Sequence, residues 1–165
     1  NRIMDELPIL EVRRIEANII KPIYEEMVEA FGEKAAHGVL SRAIKGDAIA
    51  HGKNCAESQV GDNDIASFAG LFKLWTAEDA LTIDILEQTE QSLDFNVTRC
   101  RYAEMYRDMG ISELGSVLSC DRDGNFCKGY NPRLTLERTQ TIMRGASCCD
   151  FRYRLVDEDA TSTES

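Results

Sequence analysis

The chain has 165 residues, 43% of them hydrophobic, and a formal net charge of −10. This length and apolar content suffice for one domain with its own core. The acidic excess argues against nucleic acid as a partner, because phosphate binding needs clustered lysine and arginine. No apolar run approaches the roughly 20 residues of a membrane span, and six cysteines without the spacing of a disulfide framework are typical of reduced thiols. We therefore expect a cytoplasmic protein with neither nucleic acid nor membrane as a partner, and a homo-oligomer remains open.

The first half of the chain has the apolar spacing of helices, with hydrophobic residues recurring every three or four positions. Helices are predicted over residues 8–31, 34–49 and 65–74, with a polar loop over 54–64. Pro22 cannot donate its backbone N–H, which predicts a kink or the start of a second helix there. His37 and His51 are too far apart to form a metal pair on one helical face, and we interpret both as surface or helix-end residues.

From Leu81 the spacing changes to the alternation of half-buried strands. Strands are predicted over residues 81–87, 93–99, 134–143 and 148–155, helices over 101–108 and 112–118, and a loop over 121–132. The predicted fold class is α+β, with N-terminal helices followed by an antiparallel sheet with inserted helices. Residues 1–156 are expected to form a single domain, and the acidic, Ser/Thr-rich residues 157–165 a disordered tail.

Three cysteines are candidates for chemistry. Cys100 falls between a predicted strand and helix, where free N–H groups and the helix dipole favour a thiolate, and Glu104 lies one turn on, within reach as an acid/base partner. Cys120 is predicted to follow a helix and to precede Asp123, and both features oppose ionisation. Cys149 lies on the apolar face of the last strand, where desolvation also opposes ionisation. Cys100 is therefore the predicted nucleophile, with Asp123 as the reserve for proton transfer, and packing is the alternative role for each thiol.

Polar residues of the predicted sheet region are candidates for substrate binding. Arg138 shares the apolar face of strand 134–143 and needs an anion there, either an internal carboxylate, which is the simpler expectation, or a carboxylate of the substrate. Asn131, in a predicted turn with Pro132, and Thr141, in a polar cluster on one sheet face, complete the predicted set. The sequence has no Gly-rich phosphate loop and no C-x-x-C pair, so we expect neither an organic cofactor nor a zinc site.

Three segments of the second half carry a family resemblance: VTRCRYAE (97–104), LSCDRDGNF (118–126) and GYNPRLTLERTQTIMRGASCCDFRYR (129–154). Together with the N-terminal RRIEANIIKPI they resemble the L-2-amino-thiazoline-4-carboxylate hydrolase family over most of the chain. The most specific part is the closing pattern of Thr141, Gly145 and residues 149–152 (CDFR). Cys100, Cys120 and Cys149 match family positions, whereas the remaining cysteines look incidental: Cys55, Cys127 and Cys148.

The resemblance implies hydrolytic opening of a small ring that contains sulfur and nitrogen. In the namesake reaction, water adds to the carbon between nitrogen and sulfur, and the carbon–sulfur bond breaks to give N-carbamoyl-cysteine. A cyclic amidine, lactam or imide carbon suits thiolate attack followed by proton donation to the departing heteroatom. The expected partner is thus a small heterocyclic substrate. Two alternatives stay open: a non-catalytic ligand-binding domain of the vinyl-reductase-like type, which shares similar Gly-to-Cys-x-Phe endings, and a metal-dependent hydrolase using Cys, Asp and His.

Overall fold

The computed structural model describes residues 7–157 and confirms the α+β class. Its helices are α1 (Ile9–Phe31), α2 (Glu33–Ser58), α3 (Ile65–Thr76), α4 (Arg101–Asp108), α5 (Ser112–Gly115) and α6 (Asp121–Tyr130). Its strands are β1 (Leu81–Gln88), β2 (Ser92–Cys100), β3 (Leu134–Glu137) and β4 (Cys149–Leu155). Short 3-10 turns span Ala77–Asp79 and Ile142–Arg144, and a π-helical turn spans Ser116–Cys120. Residues 158–165 of the predicted tail lie outside the described residues.

The N-terminal helices are longer than the sequence predicted. Helix α1 continues through Pro22 and does not begin anew there, because one missing N–H removes a single hydrogen bond from a helix of 23 residues. Helix α2 runs on to Ser58, so the predicted loop over 54–64 starts later than expected and His51 lies inside the helix. Within residues 7–157, no helix is both long and apolar enough to cross a membrane.

The four strands form one antiparallel sheet in the order β1-β2-β4-β3. Strand β3 ends at Glu137, so the prediction of a strand to residue 143 is wrong. The carboxylate of Asp150 accepts hydrogen bonds from the backbone N–H groups of Thr139 and Gln140, both at 2.9 Å, and these bonds replace the strand ladder. Thr141, which was predicted to lie on one face of the sheet, is therefore outside the described strand register.

The predicted loop over 121–132 is mostly helix α6, which follows the π-helical turn without a break. Its Asp, Gly and Asn residues have low helix propensity, but tertiary packing outweighs this preference. Helix α6 lies so close to α2 that a Cβ atom added at Gly129 would be 2.0 Å from the carbonyl oxygen of Ile49. The sequence predicted that Cys120 follows a helix C-terminus, but Cys120 lies inside a continuous helical stretch, because the π-helical turn runs directly into α6.

The core divides into two clusters that meet at β2 and α4. The larger cluster lies between the helices and the apolar face of the sheet and includes Phe68, Phe95, Phe126, Phe151 and Tyr153. The smaller cluster joins α1 and α2 to α4 and α5 and includes Leu10, Ala17, Ile44, Tyr106 and Leu114. Cys100 packs against both clusters, which places the end of β2 at the centre of the molecule.

Candidate functional site

A cavity of about 80 Å³ lies between the helices and the apolar face of the sheet. One water needs roughly 10–15 Å³ of such space, so this cavity has room for a small ring. Five residues predicted from the sequence line it together: Cys100, Cys120, Asp123, Arg138 and Cys149. They come from the end of β2, from the π-helical turn and α6, from the segment after β3 and from β4, so the fold unites groups up to 49 positions apart.

Asp123 and Arg138 form an ion pair at the wall of the cavity. Arg138 Nη1 donates to Asp123 Oδ2 at 2.6 Å, and Arg138 Nη2 donates to the Cys120 carbonyl oxygen at 3.0 Å. The guanidinium also lies 4.9 Å from the centre of the Phe151 ring. Burial raises the pKa of the Asp123 carboxyl, and the charge of Arg138 acts in the opposite direction. The anion that Arg138 needs is thus an internal carboxylate, the simpler of the two predicted alternatives.

Cys100 occupies the N-cap of α4, as the sequence predicted. Its Sγ accepts a hydrogen bond from the backbone N–H of Ala103 at 3.4 Å. Burial nevertheless raises the pKa of the Cys100 thiol to about 11, because desolvation outweighs the N–H groups of Ala103 and Tyr102. The expected donors are present, but the expected shift toward thiolate is reversed.

The other two cavity thiols are also held in the protonated form. Burial raises the pKa of Cys120, and the carboxylate of Asp123 raises it further. Burial likewise raises the pKa of Cys149, although the Ile142 N–H, which donates to Cys149 Sγ at 3.2 Å, and the charge of Arg138 both oppose the shift. Ionisation of any of these thiols therefore requires a proton acceptor inside the cavity.

Three predicted site residues lie elsewhere. Glu104 is on the surface of α4, 41% exposed, and pairs with Arg99 at 2.9 Å. Asn131 Nδ2 donates to the Asn63 carbonyl oxygen at 2.9 Å and secures the turn before β3. Thr141 is buried, and its hydroxyl caps the 3-10 turn that follows it. Each of the three has a structural partner and none lines this cavity, but Thr141 lines an adjoining polar pocket together with Cys120 and Arg138.

The sequence reasoning missed the aromatic wall of the cavity and its histidine. Helix α3 contributes Phe68, Phe72 and Trp75, whose spacing of four and three residues places them on one face. That spacing was the available signal. His51 of α2 also lines the cavity, with its ring 5.3 Å from that of Phe126. Burial lowers the pKa of His51, so its imidazole is neutral at pH 7 and is not the surface group we had predicted.

Two further arginines reach the cavity, and both carry internal carboxylate partners. Arg13 Nη1 lies 2.9 Å from Glu16 Oε2, and Arg122 Nη1 lies 2.6 Å from Asp47 Oδ2. A second nitrogen of Arg122 is 3.7 Å from the same Glu16 oxygen, so the four side chains form one network. The side chains of Arg13 and Arg122 are only 7% and 9% exposed, whereas their partners Glu16 and Asp47 are 31% and 65% exposed, so buried guanidinium groups are paired with carboxylates that reach solvent.

The chemistry available in the cavity is nucleophilic and acid–base. A thiol can attack an electrophilic carbon, and a neighbouring carboxylate can take and return its proton. Among residues 7–157, no group of three or more His, Cys, Asp or Glu side chains is arranged to hold a metal ion. Two groups that line the cavity can accept a thiol proton: the Asp123 carboxylate, whose charge acts on the pKa of all three thiols, and the neutral imidazole of His51.

Comparison with known proteins identifies one family and a distantly shared fold. The family model for L-2-amino-thiazoline-4-carboxylic acid hydrolase matches residues 12–153. A solved structure of trafficking protein particle complex subunit 3 from Naegleria fowleri, covalently bound to palmitic acid, is 9% identical in sequence to this chain. Its TM-score is 0.52, and the matched region covers 88% of this chain and 95% of that chain. The phenol-responsive sensory domain of the transcription activator PoxR with phenol is 12% identical, with a TM-score of 0.48 and coverage of 84% and 74%. No curated protein gives a significant match.

Proposed function

This chain belongs to the L-2-amino-thiazoline-4-carboxylic acid hydrolase family, and we propose that it opens a small cyclic amide or amidine by attack of a cysteine thiol on the ring carbon. One observation carries the proposal: three thiols and an ion-paired carboxylate line a single cavity of about 80 Å³. The family name supports hydrolysis as the reaction type. The mixture of thiols and a carboxylate supports a covalent route, because it supplies both a nucleophile and a proton acceptor.

Cys100 is the proposed nucleophile, and Asp123 replaces Glu104 as its proton acceptor. As Sγ bonds to the ring carbon, the thiol proton moves to the Asp123 carboxylate and an electron pair moves onto the carbonyl oxygen or amidine nitrogen. That pair then returns, the ring carbon–heteroatom bond breaks, and Asp123 gives the proton to the departing nitrogen or sulfur. Water attacks the resulting thioester or thioimidate, with Asp123 again accepting a proton, and this second step releases the product and restores the thiol.

The position of Cys100 favours it over the other two thiols. It stands at the N-terminus of α4, where the N–H groups of Ala103 and Tyr102 oppose the effect of burial on its pKa. The same end of the helix stabilises negative charge that develops on sulfur or on the attacked carbon's oxygen. Cys149 Sγ also accepts an N–H, from Ile142, but that donor belongs to a short 3-10 turn and not to the N-terminus of an α-helix. Cys120 has the carboxylate of Asp123 as its leading electrostatic neighbour.

The test compares Cys100→Ser, Cys120→Ser and Cys149→Ser for turnover of a panel of cyclic amides and amidines. Cys100→Ser is expected to reduce turnover at least about a hundredfold, the lower range for losing a reacting group, with an unchanged circular dichroism spectrum. Near-normal turnover by Cys100→Ser, together with loss of activity in either other variant, contradicts the choice of nucleophile. Full activity in all three variants contradicts covalent catalysis and favours a mechanism in which Asp123 activates a water molecule for direct attack.

A non-catalytic ligand-binding domain is the second candidate, and one observation favours it. Burial raises the pKa of every thiol that lines the cavity, as expected for cysteines that pack as small apolar groups. This function predicts that ligands bind and are recovered unchanged, and that each serine variant binds them with similar affinity. Release of ring-opened product by the purified protein rules it out.

A further inference from the structure

We infer that the ring accepted by this cavity is electrically neutral and lacks the carboxylate present in the substrate for which the family is named. The inference rests on the proposed function and narrows its substrate class. It follows from the charges that line the cavity and from the composition of its walls.

Every arginine that lines the cavity already has a carboxylate of this chain as its partner. Arg13 is paired with Glu16 at 2.9 Å, Arg122 with Asp47 at 2.6 Å and Arg138 with Asp123 at 2.6 Å. In the described part of the chain, no lysine lines the cavity, and its histidine is neutral at pH 7 because burial lowers the pKa of His51. A ring carboxylate would therefore enter without a free cation to receive it.

A substrate carboxylate at Arg138 would have to share the guanidinium with Asp123 or displace it. Sharing would bring two carboxylates to one guanidinium, and displacement would leave Asp123 without its partner. The side chains of Arg138 and Asp123 are 14% and 25% exposed, so a second carboxylate or an unpaired one would lie in a poorly solvated site, where an uncompensated charge is costly. A neutral ring avoids this cost and leaves the proposed proton acceptor in place.

The remaining wall is largely aromatic. Seven phenylalanine, tyrosine and tryptophan rings line the cavity: Phe68, Phe72, Trp75, Tyr102, Phe126, Phe151 and Tyr153. Several contact one another edge to face, as Trp75 and Phe126 do with centroids 5.2 Å apart. Flat aromatic or conjugated ligands make favourable offset and edge-to-face contacts with such rings, whereas an ionised group loses its hydration beside them.

The experiment uses a matched pair of rings that differ in one carboxylate: 2-oxothiazolidine, which is neutral, and 2-oxothiazolidine-4-carboxylate. Both contain the same carbonyl carbon between nitrogen and sulfur. Affinity for the full chain is measured by isothermal titration calorimetry at pH 7.5, and the neutral ring is expected to bind at least about tenfold more tightly. Equal or tighter binding of the carboxylate overturns the inference, as does a failure of the neutral ring to bind at all.

Asp123→Asn provides a second readout, because it frees Arg138 for an external anion. The variant is expected to shift the preference toward the carboxylate ring by at least about tenfold, while Arg138→Met, the matched control, shows no such shift. An unchanged preference in folded Asp123→Asn contradicts the inference. Turnover is recorded separately: tight binding of the neutral ring without ring opening contradicts the proposed function and leaves the assignment of a neutral ligand intact.

Discussion

Replacing Asp123 with asparagine should destabilise the protein through the charge that it leaves behind. The substitution keeps the shape of the side chain but removes the partner of Arg138, which is 14% exposed and 2.6 Å from the carboxylate. Loss of one member of a fully buried pair costs about 3–5 kcal/mol. Since the Asp123 side chain keeps 25% of its surface accessible, we expect a smaller decrease in the free energy of unfolding, about 2–3 kcal/mol.

The double variant Asp123→Asn/Arg138→Met separates this cause from a loss of packing. It removes both charges, and neutral replacement of a buried pair is often tolerated, so it should recover most of the stability that the single variant loses. Urea unfolding followed by circular dichroism gives the free energies of unfolding, with unequal slopes indicating a change in the denatured state. An Asp123→Asn chain as stable as the parent, or a double variant less stable than the single one, contradicts a destabilising charge on unpaired Arg138.

Three further outcomes are expected. Gly129→Ala should destabilise the protein by several kcal/mol, because its new Cβ would lie 2.0 Å from the Ile49 carbonyl oxygen. Gly124→Ala in the same helix places its Cβ where nothing lies within 4 Å, and it should stabilise the protein by about 0.5–1 kcal/mol. Thermal unfolding that ranks the two variants alike contradicts this close helix packing. Because burial raises the pKa of Cys100 from 9.0 to about 11, the folded state keeps a proton that the unfolded chain releases. The free energy of unfolding should therefore fall between pH 9 and pH 11 by about 2 kcal/mol more in the parent than in Cys100→Ser, and parallel pH profiles of the two chains contradict the buried thiol. Glu104→Gln should leave turnover within about threefold of the parent, since this carboxylate faces solvent, and a hundredfold loss in the same assay returns it to the site.

The parts of the fold that depend on local pattern could be predicted from the sequence. Strands β1 and β2 begin and end within a residue or two of their predicted limits, because apolar residues alternate with polar ones along both strands. Helix α4 has the predicted bounds of 101–108. Helix α6 could not be predicted in the same way, since its stability comes from packing on α2 through Gly52 and Gly129, and glycines give no helical signal of their own.

The site shows the same division between local and non-local information. The family pattern identified Cys100, Cys120 and Cys149, and the structure places all three at one cavity. Glu104 was chosen because it is one helical turn from Cys100, but α4 buries residues 102, 103, 105 and 106 and leaves Glu104 on the opposite face. Spacing along the chain limits how far a side chain lies from a thiol, and only packing decides the direction in which it points.

The apolar wall of the cavity also explains how protonated thiols and the proposed chemistry fit together. The burial that raises the pKa of Cys100 also keeps the Asp123 carboxylate poorly solvated, and burial raises the pKa of that carboxyl as well. The raised thiol pKa makes transfer of the proton to Asp123 less favourable, whereas the raised carboxyl pKa makes it more favourable. Burial therefore assists the transfer only if it raises the carboxyl pKa by more than the thiol pKa. The balance therefore depends on Arg138, whose charge stabilises the ionised carboxylate and weakens it as a base. Removal of that charge should strengthen Asp123 as a proton acceptor, so in Arg138→Met the pH at which turnover reaches half its maximum on the acidic side should rise, and an unchanged acidic limit would show that Asp123 does not take the proton.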